Sequence, residues 1–364
     1  MNVVIACGGT GGHLFPGLAV AEVLRDRGHD VLLLISEKQI DALAVRDRTE
    51  FGIERIPSIG LPQLVSPAIF PFCAKFLRGL LTCRRVFNLF RPNVVLGMGG
   101  FTSTAPIMAA RWSKVPAIIH ESNAIPGKAN RFNARFSDRV ALGFAECAPY
   151  FPEKPVEVTG TPIRKDITAE IKRSVALQSL RLNPDLQTIG VIGGSQGAHG
   201  INEAVVAALP RFAMRPVQFI HLTGRDDYEQ VYDGYQKEGV PAFVAAFHHR
   251  MEEIYSAADV MVARSGAASL SELAYFGCPT ILIPYPFAAD DHQTLNAKIF
   301  QAAGAAEMLD SQQANGDSVG ELIEALLVDA ARRDRLSQNM RRLATKDAAT
   351  KICKLVEDVS NGSK

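Results

Sequence analysis

The chain has 364 residues, of which 47% are apolar and 21% are charged, and its formal net charge is +1. This composition is typical of a globular protein of about two domains, and so small a net charge gives no indication for or against nucleic acid. The six cysteines include no Cys-x-x-Cys pair, which argues against a zinc site or a disulfide framework and fits a reducing cytosol.

Apolar strands alternate with helices along the chain. The first strand begins at Val3 without a basic n-region, so we expect no signal peptide, and no apolar run approaches the ~20 residues of a membrane span. Strands are predicted at residues 3–7, 31–35, 94–96, 117–119, 139–142, 156–158, 188–192, 217–222, 242–246, 260–263 and 280–283. Helices are predicted at residues 16–27 and 331–364. This order predicts an α/β fold with two Rossmann-like, doubly wound parallel sheets.

Three glycine-rich turns follow predicted strands. They read GGTGGH at residues 8–13, GMGGF at 97–101 and GGSQGA at 193–198. Such a turn lets backbone N–H groups approach an anion at the positive end of the next helix. The first and third turns repeat at a spacing of 185 residues, from Gly8 to Gly193. We therefore predict two like-folded domains that face a cleft and handle a large, diphosphate-bearing substrate.

The domain boundary is predicted at the GTPIR segment, residues 160–164. The N-terminal domain then covers residues 1–163 and the C-terminal domain residues 164–340. We expect the terminal helix, at about 341–364, to pack back on the N-terminal domain.

The glycine turns also allow other interpretations. A dinucleotide fingerprint is disfavoured because Leu14 stands where its third glycine should fall, although Glu37 could serve as the ribose acid. No G-x-x-x-x-G-K-[ST] segment occurs, so a P-loop nucleotidase is not indicated. The glycines could instead only form tight turns, an explanation that weakens when three turns all lie at strand ends.

Two polar segments of the first half are candidates for proton transfer. His13 follows the first turn, where an imidazole could accept a proton from a substrate hydroxyl, or could simply pack the loop. His120-Glu121-Ser122-Asn123 follows a strand, at the sheet edge where ligands bind, although helix capping by Ser122 or Asn123 would also explain it.

Two segments of the second half are candidates for sugar-nucleotide binding. Glu272 lies in a small-residue segment, 264–273, where its carboxylate could accept hydrogen bonds from a ribose diol or serve the helix dipole. Residues 290–296 (DDHQTLN) offer amides and acids for sugar hydroxyls, or form a polar loop. No Asp-x-Asp occurs, so helix N-termini, loop amides and Arg164 are expected to meet a diphosphate.

Residues 61–91 mix apolar and basic side chains. Phe70, Phe72, Phe76 and Leu77 occur among Lys75, Arg78, Arg84 and Arg85. Apolar anchors beside basic residues suit an anionic membrane surface, and a core helix with a solvated basic face is the alternative.

Together these motifs resemble the MurG family of bacterial N-acetylglucosaminyltransferases, nearly from end to end. The matching segments are GGTGGHLFPGLAVA at 8–21, GMGGFTS at 97–103, HESNAIPGKAN at 120–130, GTPIR at 160–164, GGSQGA at 193–198, RSGAASLSELA at 264–274 and DDHQTLNA at 290–297. The resemblance implies a two-domain GT-B fold, inversion at the sugar and no obligatory bound metal. It implies transfer of N-acetylglucosamine from UDP-N-acetylglucosamine to the 4-hydroxyl of undecaprenyl-diphosphate-linked muramyl pentapeptide, a step of peptidoglycan synthesis.

The resemblance also implies a set of site residues. The implied substrate contacts are Thr10, Gly11, Gly12, Asn123, Arg164, Ser195, Asn202, His248, Ala267, Ala268, Ser269, Leu270, Ser271, Glu272, Gln293 and Asn296. Glu272 would take the ribose, Ser195 with Arg164 the diphosphate, and Gln293 with Asn296 the sugar hydroxyls. His13 and Glu121 are the alternatives for activating the acceptor.

Some positions depart from the family pattern. Ser122 stands where glutamine is common and Thr104 where glycine is common. Residues 247–251 (FHHRM) replace a more acidic segment near the uracil pocket, which weakens the assignment of His248.

The resemblance implies a peripheral enzyme at the cytoplasmic face of the inner membrane. Its implied partners are UDP-N-acetylglucosamine, the undecaprenyl-linked acceptor, an anionic membrane surface and other cell-wall synthesis proteins, with no nucleic acid. The alternatives are another GT-B sugar-nucleotide enzyme, such as a glycolipid transferase or an epimerase, and a non-catalytic sugar-nucleotide-binding module.

Overall fold

A computed structural model describes residues 1–38, 41–42, 45–46, 48–57, 67, 69–169, 171–194 and 197–362. The chain forms two compact units. One consists of Met1–Arg164 together with Thr345–Lys364, and the other of Lys165–Ala344.

Each unit contains one parallel sheet. In the first unit the strands are β1 (Asn2–Ala6), β2 (Asp30–Ser36), β3 (Gly52–Ile56), β4 (Val94–Gly97), β5 (Ala117–Glu121), β6 (Arg139–Leu142) and β7 (Val156–Val158), in the order β3-β2-β1-β4-β5-β6-β7. In the second they are β8 (Gln187–Ile192), β9 (Val217–Leu222), β10 (Ala242–Ala245), β11 (Val260–Ala263), β12 (Thr280–Leu282) and β13 (Ala306–Met308), in the order β10-β9-β8-β11-β12-β13. Both orders are those of a doubly wound nucleotide fold, which confirms the predicted fold class.

Helices connect the strands. They are α1 (Gly11–Asp26), α2 (Ile69–Phe90), α3 (Thr104–Trp112), α4 (Lys128–Asn133), α5 (Arg173–Ser179), α6 (His199–Ala208), α7 (Tyr228–Glu238), α8 (Met251–Ala257), α9 (Ala267–Phe276), α10 (His292–Ala302), α11 (Gly316–Val328), α12 (Ala330–Leu343) and α13 (Ala348–Ser360). Within the described ranges, no helix combines the length and the apolar character needed to cross a bilayer.

Strand β1 shows why both faces of the first sheet are covered. Its alternate side chains belong to different cores, with Val3 and Ile5 in one and Val4 and Ala6 in the other. Helix α2 contributes its inner face to the second of these cores. Helix α13 contributes Ile352, Cys353, Leu355, Val356 and Val359 to the first. The C-terminal helix is therefore an integral part of the first unit.

The elements differ from the prediction in four places. The short strands β3 and β13 were not predicted, because both lie at sheet edges and neither is a continuous apolar run. Helix α1 begins at Gly11, five residues before the predicted start, and contains Pro16. The predicted terminal helix is two helices, α12 and α13, which belong to different units.

Candidate functional site

The strand order reverses beside the first strand of each sheet. Strand β1 lies between β2 and β4, and β8 lies between β9 and β11. Ligands of open parallel sheets bind outside the carboxyl ends of the strands at such a reversal. The first two glycine turns follow β1 and β4, the third follows β8, and Arg264-Ser265-Gly266 follows β11. Each unit thus presents two motif segments at its reversal point.

The first glycine turn leads directly into α1. Thr10 precedes the helix in an extended conformation, and Gly11, Gly12 and His13 form the first helical turn. The leading N–H groups of a helix have no intrahelical acceptor and carry the positive end of its dipole. Thr10 and Gly12 are exposed, so this turn can receive an anion.

The imidazole of His13 lies against the second glycine turn. A Cβ atom on Gly99 would stand 2.9 Å from His13 Cδ2, and one on Gly100 would stand 3.1 Å from His13 Nδ1. Both glycines have positive φ, +104° and +68°. His13 Nδ1 is also 3.1 Å from the hydroxyl oxygen of Thr10. The ring is therefore held between the two turns, and only residues without a side chain leave room for it.

The carboxylate of Glu121 organises the loop that follows β5. It is buried and accepts four hydrogen bonds, from the backbone and side-chain nitrogens of Asn123, from the Gly127 backbone and from Asn130 Nδ2. A carboxylate has about four lone-pair sites, so these donors use the acceptor capacity of both oxygens. Asn130 Nδ2 also donates to the carbonyl of His120. Glu121 thereby fixes the position of Asn123.

His120 is fully buried and serves as a structural donor. Burial lowers the pKa of its imidazole, although the hydrogen bond to the Gly160 carbonyl opposes that effect. Because a carbonyl can only accept, Nε2 carries the proton and donates to Gly160 at 2.9 Å. The ring therefore ties the end of β5 to the GTPIR segment.

Arg164 lies at the end of the first unit, close to the N-terminal half of α1. Its guanidinium carbon is 4.4 Å from the centre of the Phe15 ring, a cation–π distance. Phe15 lies on α1, so Arg164 packs against the helix that follows the first glycine turn.

The third glycine turn is only partly described, since Ser195 and Gln196 lie outside the described residues. Gly197 packs directly against the carbonyl of Thr223, at φ +78°, a site with no room for a Cβ atom. Asn202, on α6, is buried and donates to Thr223 O at 2.8 Å and to Asp227 Oδ2 at 2.7 Å, and its Oδ1 contacts His221 Nε2 at 2.9 Å. The Asn202 side chain therefore fixes the loop against which the turn packs.

Helix α9 carries the small residues and the acid of the 264–273 segment. It begins at Ala267 after Gly266, and Ala267 and Leu270 are buried whereas Ala268 and Ser269 are half-buried. Ser271 Oγ donates back to the Ala267 carbonyl. Glu272 is half-buried and accepts a hydrogen bond of 2.6 Å from the hydroxyl of Tyr255.

Arg264 and Ser265 tie the end of β11 to its neighbours. Arg264 Nη1 donates to the carbonyls of Ile283 and Pro284, and burial lowers the pKa of this guanidinium. Ser265 Oγ donates to the Gln293 carbonyl, and the Ser265 carbonyl accepts from Asn296 Nδ2. Asn296 is fully buried, whereas Gln293 is half-buried. Gln293 and Asn296, both on α10, thus contact the loop that follows β11.

His248 belongs to a different polar cluster. Its Nε2 is 2.9 Å from Glu253 Oε2, and Arg250 pairs with the other oxygen of the same buried carboxylate. Burial alone would raise the pKa of Glu253, but hydrogen bonds from Ser179 and His248 lower it overall.

The described residues contain no group of three or more His, Cys, Asp or Glu side chains arranged to hold a metal ion.

Two family models match the chain. The glycosyltransferase family 28 N-terminal domain matches residues 3–142, and the family 28 C-terminal domain matches residues 188–354. The chain belongs to glycosyltransferase family 28. This membership confirms the enzyme class predicted from the motifs.

Individual relatives extend over the whole chain. It is 36% identical over 373 residues to the UDP-N-acetylglucosamine--N-acetylmuramyl-(pentapeptide) pyrophosphoryl-undecaprenol N-acetylglucosamine transferase of Halothermothrix orenii, with 100% of both chains covered. The transferase of the same name from Geobacter sulfurreducens is 39% identical over 356 residues, 97% of each chain. The crystal structure of Acinetobacter baumannii MurG is 26% identical, with a TM-score of 0.75 over 98% of this chain and 99% of that one. The predicted resemblance to the MurG family is confirmed.

Two side chains at this family 28 site were not singled out from the sequence. Arg264 belongs to a predicted motif, but a run of small residues does not show that its side chain is half-buried and bonded to two carbonyls. Tyr255 lies outside every motif that indicated nucleotide binding, on a helix that the sequence pattern does not link to the site. Both become visible only through their contacts.

We predict that Gly99→Ala lowers glycosyltransferase turnover about 100-fold, because His13 is the expected base and displacing such a group by an ångström can cost that much. The added Cβ atom would meet the His13 ring. The matched control is Gly28→Ala, which has a similar φ of +81° but nothing within 4 Å of the added atom. Steady-state kinetics and thermal unfolding of both variants check this. Equal turnover in the two variants would show that the position of His13 does not matter.

Proposed function

We propose that this chain transfers N-acetylglucosamine from UDP-N-acetylglucosamine to the 4-hydroxyl of undecaprenyl-diphosphate-linked N-acetylmuramyl pentapeptide, with inversion at the sugar. The observation that carries this proposal is the end-to-end similarity to curated transferases of that name. The glycine turns at both strand-order reversals support it, because donor and acceptor each carry a diphosphate.

The unit Lys165–Ala344 is proposed to bind the donor. Glu272 accepts hydrogen bonds from the ribose, and the small side chains at positions 267–271 let the nucleotide approach α9. The third glycine turn, with Ser195, and the N-terminus of α6 meet the diphosphate. Gln293 contacts the sugar hydroxyls.

Two of the residues proposed for the donor site, Asn202 and Asn296, have a structural role. Asn296 is fully buried with its amide on the Ser265 carbonyl, and Asn202 is buried with its amide on Thr223 and Asp227. Buried amides that are hydrogen-bonded in this way hold loops in place. We propose that both residues act by positioning the loops, and that His248 lies beside the uracil pocket.

The unit that contains Met1–Arg164 is proposed to receive the acceptor, with His13 as the base. Its imidazole stands between two glycine turns and is half-exposed, so a substrate hydroxyl could reach it. Glu121 is a weaker candidate, because proton uptake would disrupt a carboxylate that already accepts four hydrogen bonds. We propose that Glu121 instead holds Asn123 and the loop around it.

UDP is proposed to leave without an obligatory metal. The sequence has no Asp-x-Asp pair. Helix N-termini and Arg164 would hold the negative charge that develops on the diphosphate as the glycosidic bond breaks.

Helix α2 is proposed to bring the enzyme to the membrane that holds its acceptor. Phe70, Leu77 and Leu81 are 78%, 56% and 60% exposed, and their spacing places them on one helix face. The exposed basic side chains of the same helix are Lys75, Arg78, Arg84 and Arg85. Phe72 and Phe76, predicted as anchors, are half-buried and stack on each other at 6.0 Å, so they suit this part less well. Residues 61–66 and 68 of the predicted segment lie outside the described residues.

The reaction itself is tested with labelled UDP-N-acetylglucosamine, with and without a short-chain polyprenyl-diphosphate muramyl pentapeptide. Label should pass to the acceptor only when it is present, and EDTA should leave most of the activity intact. Conversion of the donor to an epimer without acceptor would contradict the proposed reaction. Complete loss in EDTA, restored by one divalent ion, would contradict the metal-independent release of UDP.

The base is tested by comparing His13→Ala with Glu121→Gln. His13→Ala should lower kcat by roughly 10²–10⁴ with little change in donor KM. Glu121→Gln should lower the thermal midpoint and raise the acceptor KM, because an amide cannot accept all four bonds. If Glu121→Gln abolishes kcat in a protein of normal stability while His13→Ala keeps it, Glu121 is the base.

Membrane binding is tested with serine at Phe70, Leu77 and Leu81 and glutamate at Arg84 and Arg85. Each basic residue near an anionic surface contributes about 1 kcal/mol, so the variant should no longer float with anionic vesicles. Its activity on a short-chain, soluble acceptor should survive. The control replaces Met214 and Val328, exposed apolar residues of the other unit, with serine. A helix variant that still floats with the vesicles would exclude α2 as the docking element.

A further inference from the structure

The hydroxyl of Tyr255 donates a 2.6 Å hydrogen bond to Glu272 Oε2. We propose that Tyr255 is a positioning residue that orients the Glu272 carboxylate toward the donor ribose and so sets the selectivity for a ribonucleotide. This inference rests on the proposed function, in which Glu272 binds the ribose. Tyr255 lies on α8 and Glu272 on α9, so the bond joins two helices.

The position of the Tyr255 hydroxyl is fixed by packing. The residue is only 4% exposed, and its ring lies 5.3 Å from the ring of Phe276 at an interplanar angle of 32°. The thiol of Cys278, which follows the end of α9, contacts the backbone carbonyl of Tyr255. A buried ring held in this way gives its hydroxyl little freedom. The Tyr255 hydroxyl, which donates the hydrogen bond, is therefore held rigidly.

The Glu272 side of this hydrogen bond is flexible by nature. A glutamate side chain has three rotatable bonds, and a half-buried carboxylate can adopt several rotamers. A hydroxyl–carboxylate bond of 2.6 Å is in the short, charge-assisted range and selects one of them. Each carboxylate oxygen has two lone-pair sites, so accepting from Tyr255 is compatible with accepting from a ribose hydroxyl. Glu272 is thus presented in one orientation before the donor binds.

If the role of Tyr255 were purely structural, its substitution would have a different effect. A buried hydroxyl needs a hydrogen-bond partner, and its loss would then lower stability without changing which nucleotide is preferred. A positioning residue instead changes the donor KM and the preference for ribose over 2′-deoxyribose. The two interpretations therefore differ in substrate selectivity.

The experiment compares Tyr255→Phe with Tyr275→Phe in the full chain. Tyr275 lies on α9, the helix of Glu272, and donates its hydroxyl to the Thr168 carbonyl, so the control removes the same group nearby. Tyr255→Phe should raise the KM for UDP-N-acetylglucosamine about tenfold, the effect of one charge-assisted hydrogen bond, with kcat at saturating donor little changed. It should also bring the KM values for the ribose and 2′-deoxyribose donors closer together. Tyr275→Phe should change neither.

A double-variant cycle with Glu272→Ala shows whether Tyr255 acts through Glu272. If it does, Tyr255→Phe adds no further rise in donor KM once Glu272 is alanine. Additive effects on KM would overturn the proposal. So would a Tyr255→Phe variant that is less stable but keeps its donor KM and its ribose selectivity.

The outcomes separate this inference from the proposed function. If Glu272→Ala raises the donor KM and Tyr255→Phe does not, the positioning role of Tyr255 is wrong and the ribose contact of Glu272 is supported. If Glu272→Ala leaves the donor KM unchanged and the wild type does not distinguish ribose from 2′-deoxyribose, both the ribose contact and the inference are overturned. Transfer to the lipid-linked acceptor, measured on the wild type, is independent of either result.

Discussion

The reversal of strand order beside β1 and β8 is the constraint on which the rest of this structure depends. Parallel strands need crossover connections of one hand, so a sheet that grows in both directions from its first strand sends its helices to opposite faces. The turns that leave the two central strands then diverge and leave a crevice at the carboxyl edge. The glycine turns and the segment that follows β11 each lie at one of these two crevices, whereas the basic helix α2 does not.

Polar groups at such an edge must be buried without losing their hydrogen bonds. Burying an ionised carboxylate is costly unless donors surround it, and Glu121 meets this condition with four. Asn202 and Asn296 meet the same condition for buried amides. Glycine solves a related steric problem at the second turn, where the His13 ring occupies the space that side chains on Gly99 and Gly100 would need. The crevice of the first unit is therefore rigid around one half-exposed imidazole.

The sequence was sufficient for the features that depend on neighbouring residues. Buried strands such as β1, from Val3 onward, and β4 are unbroken apolar runs, and the glycine turns after them follow from local backbone requirements. The edge strands β3 and β13 were missed because burial on one side leaves no such run. Contacts between distant segments could not be read at all. Glu121 looks like a free acid in the sequence, and only the fold shows that Asn123, Gly127 and Asn130 surround it.

The motif residues therefore fall into two groups, those that can contact substrate and those that support the loops. Thr10, Gly12, Gln293 and Glu272 keep part of their surface accessible, whereas Asn202 and Asn296 are buried on neighbouring backbone. Substituting a residue of either kind would lower activity, so activity alone cannot separate contact from support. A contact residue should change KM or kcat at nearly normal stability, because it binds the substrate. A supporting residue should also lower the free energy of unfolding, since its loss leaves buried donors or acceptors unpaired. Measuring both quantities on the same variants is what assigns each motif residue to its part.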